Sequence, residues 1–239
     1  MREHDLKDKA LIFALTRSGL IKLIVTVIVL IICAMLLVEN LSALGVWKAR
    51  GTVIMGVNVF VLAMCHPTVY GVVHRITLAD FWLFPRLDGE WDAEICSNWP
   101  RIRRTYEAAR SKKEQFDAMS DPLGPAEETA RITKAKVTIK SSLLTIEMRL
   151  EPENSKRNST TRFVRPLWNR PQPPELTYVF KQIDPGLIAV TDDPEHFGAG
   201  LLHYDPVSKS LVGQYWTQRA ERSGFNTAGR IALTRTGKA

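Results

Sequence analysis

The sequence predicts two transmembrane α-helices at the N-terminus followed by an all-β domain, a minimal eight-stranded up-and-down barrel with one inserted helix. Two long apolar runs lie within the first 75 residues, and they offset a polar remainder to give a mean hydropathy of −0.08. From residue 87 onward, apolar and polar residues alternate over short stretches. Turn residues recur between those stretches, the pattern of consecutive hairpins. The boundary between anchor (residues 1–85) and soluble domain (residues 86–239) falls where one pattern gives way to the other.

The first run, residues 19–38, carries one charge, Lys22, near its start, where a lysine can extend its ammonium back to the headgroups. About 20 residues at 1.5 Å each cross a hydrocarbon core of ~30 Å. The second run, residues 51–73, contains no Asp, Glu, Lys or Arg. A cleaved signal peptide is the competing reading of the first run, but its apolar stretch is too long and no small-residue cleavage site follows. Two spans put both termini on one side. Arg2, Lys7, Lys9 and Arg17 precede the first span, against Lys48, Arg50 and Glu39 in the connecting loop, so the positive-inside rule assigns termini and soluble domain to the cytoplasm. Asn58, His66 and Pro67 fall inside the second run. They read either as helix packing with a proline kink or as a contact between subunits. Residues 76–86, with Phe81, Trp82 and Phe84, read as a membrane-interface segment.

The candidate strands are residues 89–99, 132–140, 143–151, 159–165, 175–182, 199–204, 211–219 and 228–235. Eight hairpin-linked strands favour closure, which removes both exposed edges. One helix interrupts them over residues 101–119, with Ile102, Tyr106, Ala109 and Phe116 along one stripe. Its other face is basic, and it is either a solvated face or a lid over one barrel mouth. Alternation places Trp91, Ala93, Ile95, Ser97 and Trp99 inward on the first strand. Leu211, Gly213, Tyr215, Thr217 and Arg219 point inward on the seventh, and Gly229, Ile231, Leu233 and Arg235 on the eighth. Up-and-down order then gathers Ser97, Trp99, Ser159, Thr161, Thr217 and Arg219 at the mouth away from the membrane, with Tyr178, Phe180 and Tyr215 lower down. Loops 153–158, with Lys156 and Arg157, and 192–197, with His196, should rim it.

The formal charge of +7 divides into +3 for residues 1–85 (eight Lys and Arg less five Asp and Glu) and +4 for the rest (24 less 20). That modest excess suits an anionic small molecule or anionic lipid headgroups and is too dilute for duplex nucleic acid. Cys33, Cys65 and Cys96 form no disulfide framework and have no metal-ligand spacing. No nucleophile elbow, Walker loop, dinucleotide fingerprint or zincin motif is present, so neither an enzyme nor a cofactor is expected. What remains is a barrel mouth with aromatic faces, hydroxyls and an arginine. That set suits a flat anionic ligand, because bases stack on rings and guanidinium pairs with phosphate.

The barrel opens with Leu87-Asp-Gly89-Glu-Trp91 and closes with Leu211-Val-Gly213-Gln-Tyr215-Trp-Thr217-Gln-Arg219 and Gly229-Arg-Ile231-Ala-Leu233-Thr-Arg235. Leu176-Thr-Tyr178 and His196-Phe-Gly198 lie between. In this order, behind a two-span anchor, the motifs resemble the membrane-anchored β-barrel effectors of bacterial cyclic-oligonucleotide anti-phage signalling, the effectors associated with CD-NTases. The stretch 164–174, with Pro166, Pro171, Pro173 and Pro174, departs from that pattern and breaks the fourth strand early. The resemblance implies a lipocalin-like barrel that binds a cyclic di- or oligonucleotide made by a CD-NTase. It further implies homo-oligomerisation on binding, disruption of the inner membrane and abortive infection. On this reading the ligand-binding residues are Ser97, Trp99, Thr161, Tyr178, His196, Tyr215, Thr217 and Arg219. Two competing functions are a tethered carrier of an apolar ligand, such as a lipid or haem, and a non-enzymatic membrane assembly protein.

Overall fold

The computed structural model describes residues 43–81, 84–168, 171–185, 193–220 and 223–236; the first apolar run lies outside them. The chain forms two compact units, one of Met1–Arg86 with Ser141–Ile146 and the other of Leu87–Lys140 with Glu147–Ala239.

The helical unit comprises α1 (Ala43–Met64), α2 (Pro67–Ile76) and a 3-10 turn (Ala79–Phe81). The expected continuous span over residues 51–73 is corrected here: the helix stops at Met64 and restarts at Pro67, with a bend of 101° between Ile54–Met64 and Pro67–Ile76. Proline is the cause. Its ring clashes with a preceding helical turn, and it drives the residue before it out of the helical region. His66 accordingly adopts extended angles (φ −83°, ψ 126°), and Pro67 occupies the first turn of α2, where its missing N–H costs nothing. Among the described residues no single helix is long and apolar enough to cross a membrane, whereas the bent pair together meets that test by length and composition.

This unit is apolar outside. Ile54, Met55, Val59, Leu62, Val72, Ile76 and Leu78 are exposed, while Tyr70, Gly71 and His74 are buried. His74 Nε2 donates to the Phe84 carbonyl at 3.0 Å. Asp80 accepts from the Arg86 amide at 2.6 Å, and the Arg86 guanidinium reaches the Gly71 carbonyl at 3.4 Å.

The second unit contains β1 (Gly89–Ser97), α3 (Trp99–Arg110), α4 (Pro125–Ala130), β2 (Ile132–Ser141), β3 (Ile146–Pro152), β4 (Asn158–Leu167), β5 (Glu175–Ile183), β6 (Glu195–Asp205), β7 (Ser210–Thr217) and β8 (Ala228–Arg235). The strands form a closed barrel in sequence order, and β1 pairs antiparallel with both β2 and β8. Every neighbour in the barrel is thus a neighbour in sequence, the up-and-down arrangement.

Several local expectations change, and α4 is a second helix where one inserted helix was expected. The first strand ends at Ser97, because Pro100 cannot donate to a ladder; Asn98 closes it by exchanging two 2.9 Å hydrogen bonds with Ala228. The inserted helix stops at Arg110, not at 119. Ser111 turns extended, and its hydroxyl accepts the Lys113 and Glu114 amides at 3.1 and 3.0 Å, a local turn that competes with helix. The third strand begins at Ile146, after Ser142 caps a turn by accepting from the Thr145 amide at 3.1 Å. The fourth strand is not broken early: it runs to Leu167, with Pro166 opposite Leu176 in its penultimate position, where one lost donor disturbs the ladder least.

One end of the barrel is packed solid. Trp91 is fully buried and donates its indole N–H to the Leu87 carbonyl at 2.9 Å, while Arg235, its partner on β8, lies over the ring at 5.3 Å. The same guanidinium donates to the Asp88 carbonyl. Gly89 takes φ +129°, a conformation that only glycine adopts readily, so the opening motif needs glycine for backbone geometry and tryptophan for the plug. Val137, Ile139, Leu176, Leu202, Leu211 and Leu233 complete this layer with at most 1% of their surface exposed. Burying each such side chain contributes about 1.5–3 kcal/mol.

Candidate ligand cavity

Above that layer the inward row changes character. Register sets Gly229 opposite Tyr215, Tyr215 opposite Gly200, and Gly200 opposite Tyr178. The next row reads Thr217, Gly198, Phe180, Thr161, and the one beyond it His196, Gln182, Ser159. Glycine alternates with ring across facing strands for a steric reason. A Cβ at Gly200 would come within 2.6 Å of the Tyr178 ring, and one at Gly198 would clash with the edge of the Phe180 ring. The two rings therefore lean along the barrel wall over the β6 glycines. Their centres are 5.9 Å apart with planes inclined at 31°, so they line the lumen as a continuous aromatic surface.

The space left is a cavity of about 380 Å³, open at one end. All eight residues expected from the sequence line it: Ser97, Trp99, Thr161, Tyr178, His196, Tyr215, Thr217 and Arg219. Two arrive by unexpected routes. Trp99 belongs to α3 and not to a strand, and His196 is a buried residue of β6 and not part of a rim loop. Arg157 lines the cavity as expected of a rim residue and pairs with Asp184 at 2.5 Å.

The mouth is ordered by contacts among these groups. Arg219 lies over the Trp99 ring at 5.6 Å, and Trp99 meets Phe225 edge-on at 6.0 Å. The Ser97 hydroxyl accepts the Trp99 amide at 3.1 Å. Thr217 and Thr227 share a buried hydroxyl contact of 2.7 Å, and Thr161 accepts the Met148 amide at 2.9 Å. Burial pushes the Tyr178 phenol above its ordinary range, with a smaller contribution from the neighbouring Tyr215 phenol. Burial also raises Tyr215, opposed by a hydrogen bond with Ser97 and by the positive Arg219. Both phenols are therefore neutral at physiological pH and offer an O–H as well as lone pairs.

No aspartate or glutamate is among the described lining residues, while Arg157 and Arg219 both are. A cavity with cations at its mouth, rings along its wall and hydroxyls between them can take an anion that carries a planar group. Gln182 and Thr227 also line it. Gln182 shares the β5 face of Tyr178 and Phe180, so alternation could have found it. Thr227 precedes β8 and carries no periodic signal. Among the described residues no group of His, Cys, Asp and Glu could hold a metal ion. No protein-family model matches the chain, and no curated protein matches it either.

Proposed function

We propose that the chain is a membrane-anchored receptor whose barrel binds a cyclic di- or oligonucleotide and whose anchor then disrupts the bacterial inner membrane, ending growth of the infected cell. The observation that carries this reading is the make-up of the cavity: Arg219 over Trp99 at the mouth, Arg157 beside it paired with Asp184, no carboxylate among the described lining residues, and two rings along the wall. Aromatic faces accept any base by stacking, and guanidinium recognises phosphate through paired hydrogen bonds. In this proposal the two N-terminal apolar runs are the membrane anchor, with the barrel cytoplasmic. Ligand drives assembly by binding the assembled state more tightly than the free one, because only differential affinity shifts such an equilibrium.

The test is a melting series on the full chain in detergent with a panel of cyclic di- and trinucleotides, alongside haem and a fatty acid. A cognate cyclic nucleotide at 100 times its dissociation constant stabilises the native state by about 2.7 kcal/mol. A shift with haem or fatty acid and none with any nucleotide would replace the proposal by the apolar-carrier reading.

A further inference from the structure

The helical unit exposes what a water-soluble surface hides. Ile76 is 75% exposed, Leu78 61% and Val72 54%, whereas His74 on the same helix is 2% exposed. Val69, Val72 and Ile76 recur at helical spacing and form one stripe of α2. Tyr70, Gly71 and His74 face the other way, into the unit's own hydrogen-bonded interior. Large apolar groups outside, over an interior that takes in His74 beside Met64, Tyr70 and Ala79, is an arrangement suited to hydrocarbon, since exposing such groups to water costs free energy.

Depth follows from what stands beside the stripe. Arg75 and Asp80 are exposed within the same stretch. An exposed charge at the bilayer centre costs several kcal/mol, so a surface mixing Ile76 with Arg75 belongs at the headgroup boundary. Asp80 already accepts from the Arg86 amide and lies 3.8 Å from His74, which leaves Arg75 as the outward charge of α2, complementary to anionic lipid. The bend of 101° at Cys65–His66 has the value needed to lay α2 along a membrane plane if the apolar helix before it points inward.

We propose that α2 does not cross the membrane but lies in the plane of its interface, its Val69–Val72–Ile76 stripe in the acyl boundary and Arg75 among anionic headgroups. The inference rests on the membrane-anchor reading above and assigns this segment a different place in the bilayer from the spanning one its sequence predicts.

Depth-dependent quenching tests it. The native cysteines are replaced by alanine in the full chain. Val59→Cys, Val72→Cys or Ile76→Cys is then introduced singly, labelled with an environment-sensitive fluorophore and reconstituted into vesicles of neutral and anionic phospholipid. Quenchers sit either at the lipid headgroup or deep in the acyl chain. The expected result is greater loss of fluorescence from the headgroup quencher at residues 72 and 76, and from the deep quencher at residue 59. Deep quenching at residue 72 or 76 would mean that α2 spans, overturning the proposal. Quenching at residue 59 with none at residues 72 and 76 would mean that protein or water covers the stripe, which also overturns it. Absence of quenching at all three would refute the membrane anchor itself.

Discussion

In the barrel Trp91, Leu176, Leu202, Leu211 and Leu233 have no exposed surface, and ion pairs such as Asp92–Lys136 lie outside. In the helical unit His74 is among the most deeply buried, while Leu62 and Ile76 stand out at 70% and 75% exposure. Both units bury apolar side chains, and they differ in how much large apolar surface they leave outside. An apolar interior is favourable in water, and on the proposed membrane-anchor reading the exposed apolar helices are favourable in lipid. The difference also divides the proposed labour. In that proposal the barrel cavity recognises the signal and the exposed apolar surface of the helices acts on the bilayer.

Separating the regions gives the largest expected effect. Deleting residues 1–85 should abolish growth arrest upon supply of the cognate cyclic nucleotide and spare its binding, since the closed barrel takes no strand from the anchor. Growth assays with calorimetry on the barrel check both halves, and arrest by the anchor-free barrel would sink the division. Next, Arg219→Ala should weaken nucleotide binding by about 1.5–3 kcal/mol with the barrel still folded, the worth of a charge-assisted contact. Titration calorimetry reads the affinity, and an unchanged value would confine this arginine to holding Trp99.

A pair of glycines sharpens the contrast. Gly198→Val must displace the Phe180 ring and crowd the Trp216 carbonyl, at a cost of about 1–3 kcal/mol of barrel stability. Gly56→Val meets nothing within 4 Å, so α1 should accept it without loss. Chemical denaturation with ring-selective fluorescence separates the two.

Alkaline pH affects the barrel through Tyr178. Its folded-state pKa is raised by burial, so its contribution to stability is full below the unfolded tyrosine value of about 10 and is lost as pH rises beyond it. Melting temperature should hold to that point and then fall, and the fall should be shallower in Tyr178→Phe. The smallest effect is expected at Asn58, an exposed amide on the apolar face of α1. If it meets its counterpart between subunits, Asn58→Leu should reduce toxicity only in part, because such hydrogen bonds average about 0.6 kcal/mol.

Much of this was legible because strand geometry is periodic. Alternation alone set Ser97, Tyr215 and Thr217 on the inner face, and hairpin order carried them to one mouth. Arg219 was placed by the same count although its strand ends at Thr217, and its position depends on Trp99 beneath it. His196 was misread as loop, because a charged and proline-containing approach hides the start of β6. The helix end at Arg110 was invisible to hydropathy, since one serine hydroxyl decided it.

By itself the sequence determined the hydropathy pattern along the chain: an apolar N-terminal stretch, then alternating segments whose spacing favours a closed sheet, as the barrel is. Local composition suffices for that, because burial preference and strand period are properties of neighbouring residues. Only the tertiary structure decided that glycines on β6 face rings on β5 and leave a cavity, and that Pro67 turns α2 through 101° away from the helix before it. Both depend on which atoms meet across strands or at one backbone joint, a matter of register and dihedral angle that hydropathy along the chain does not encode.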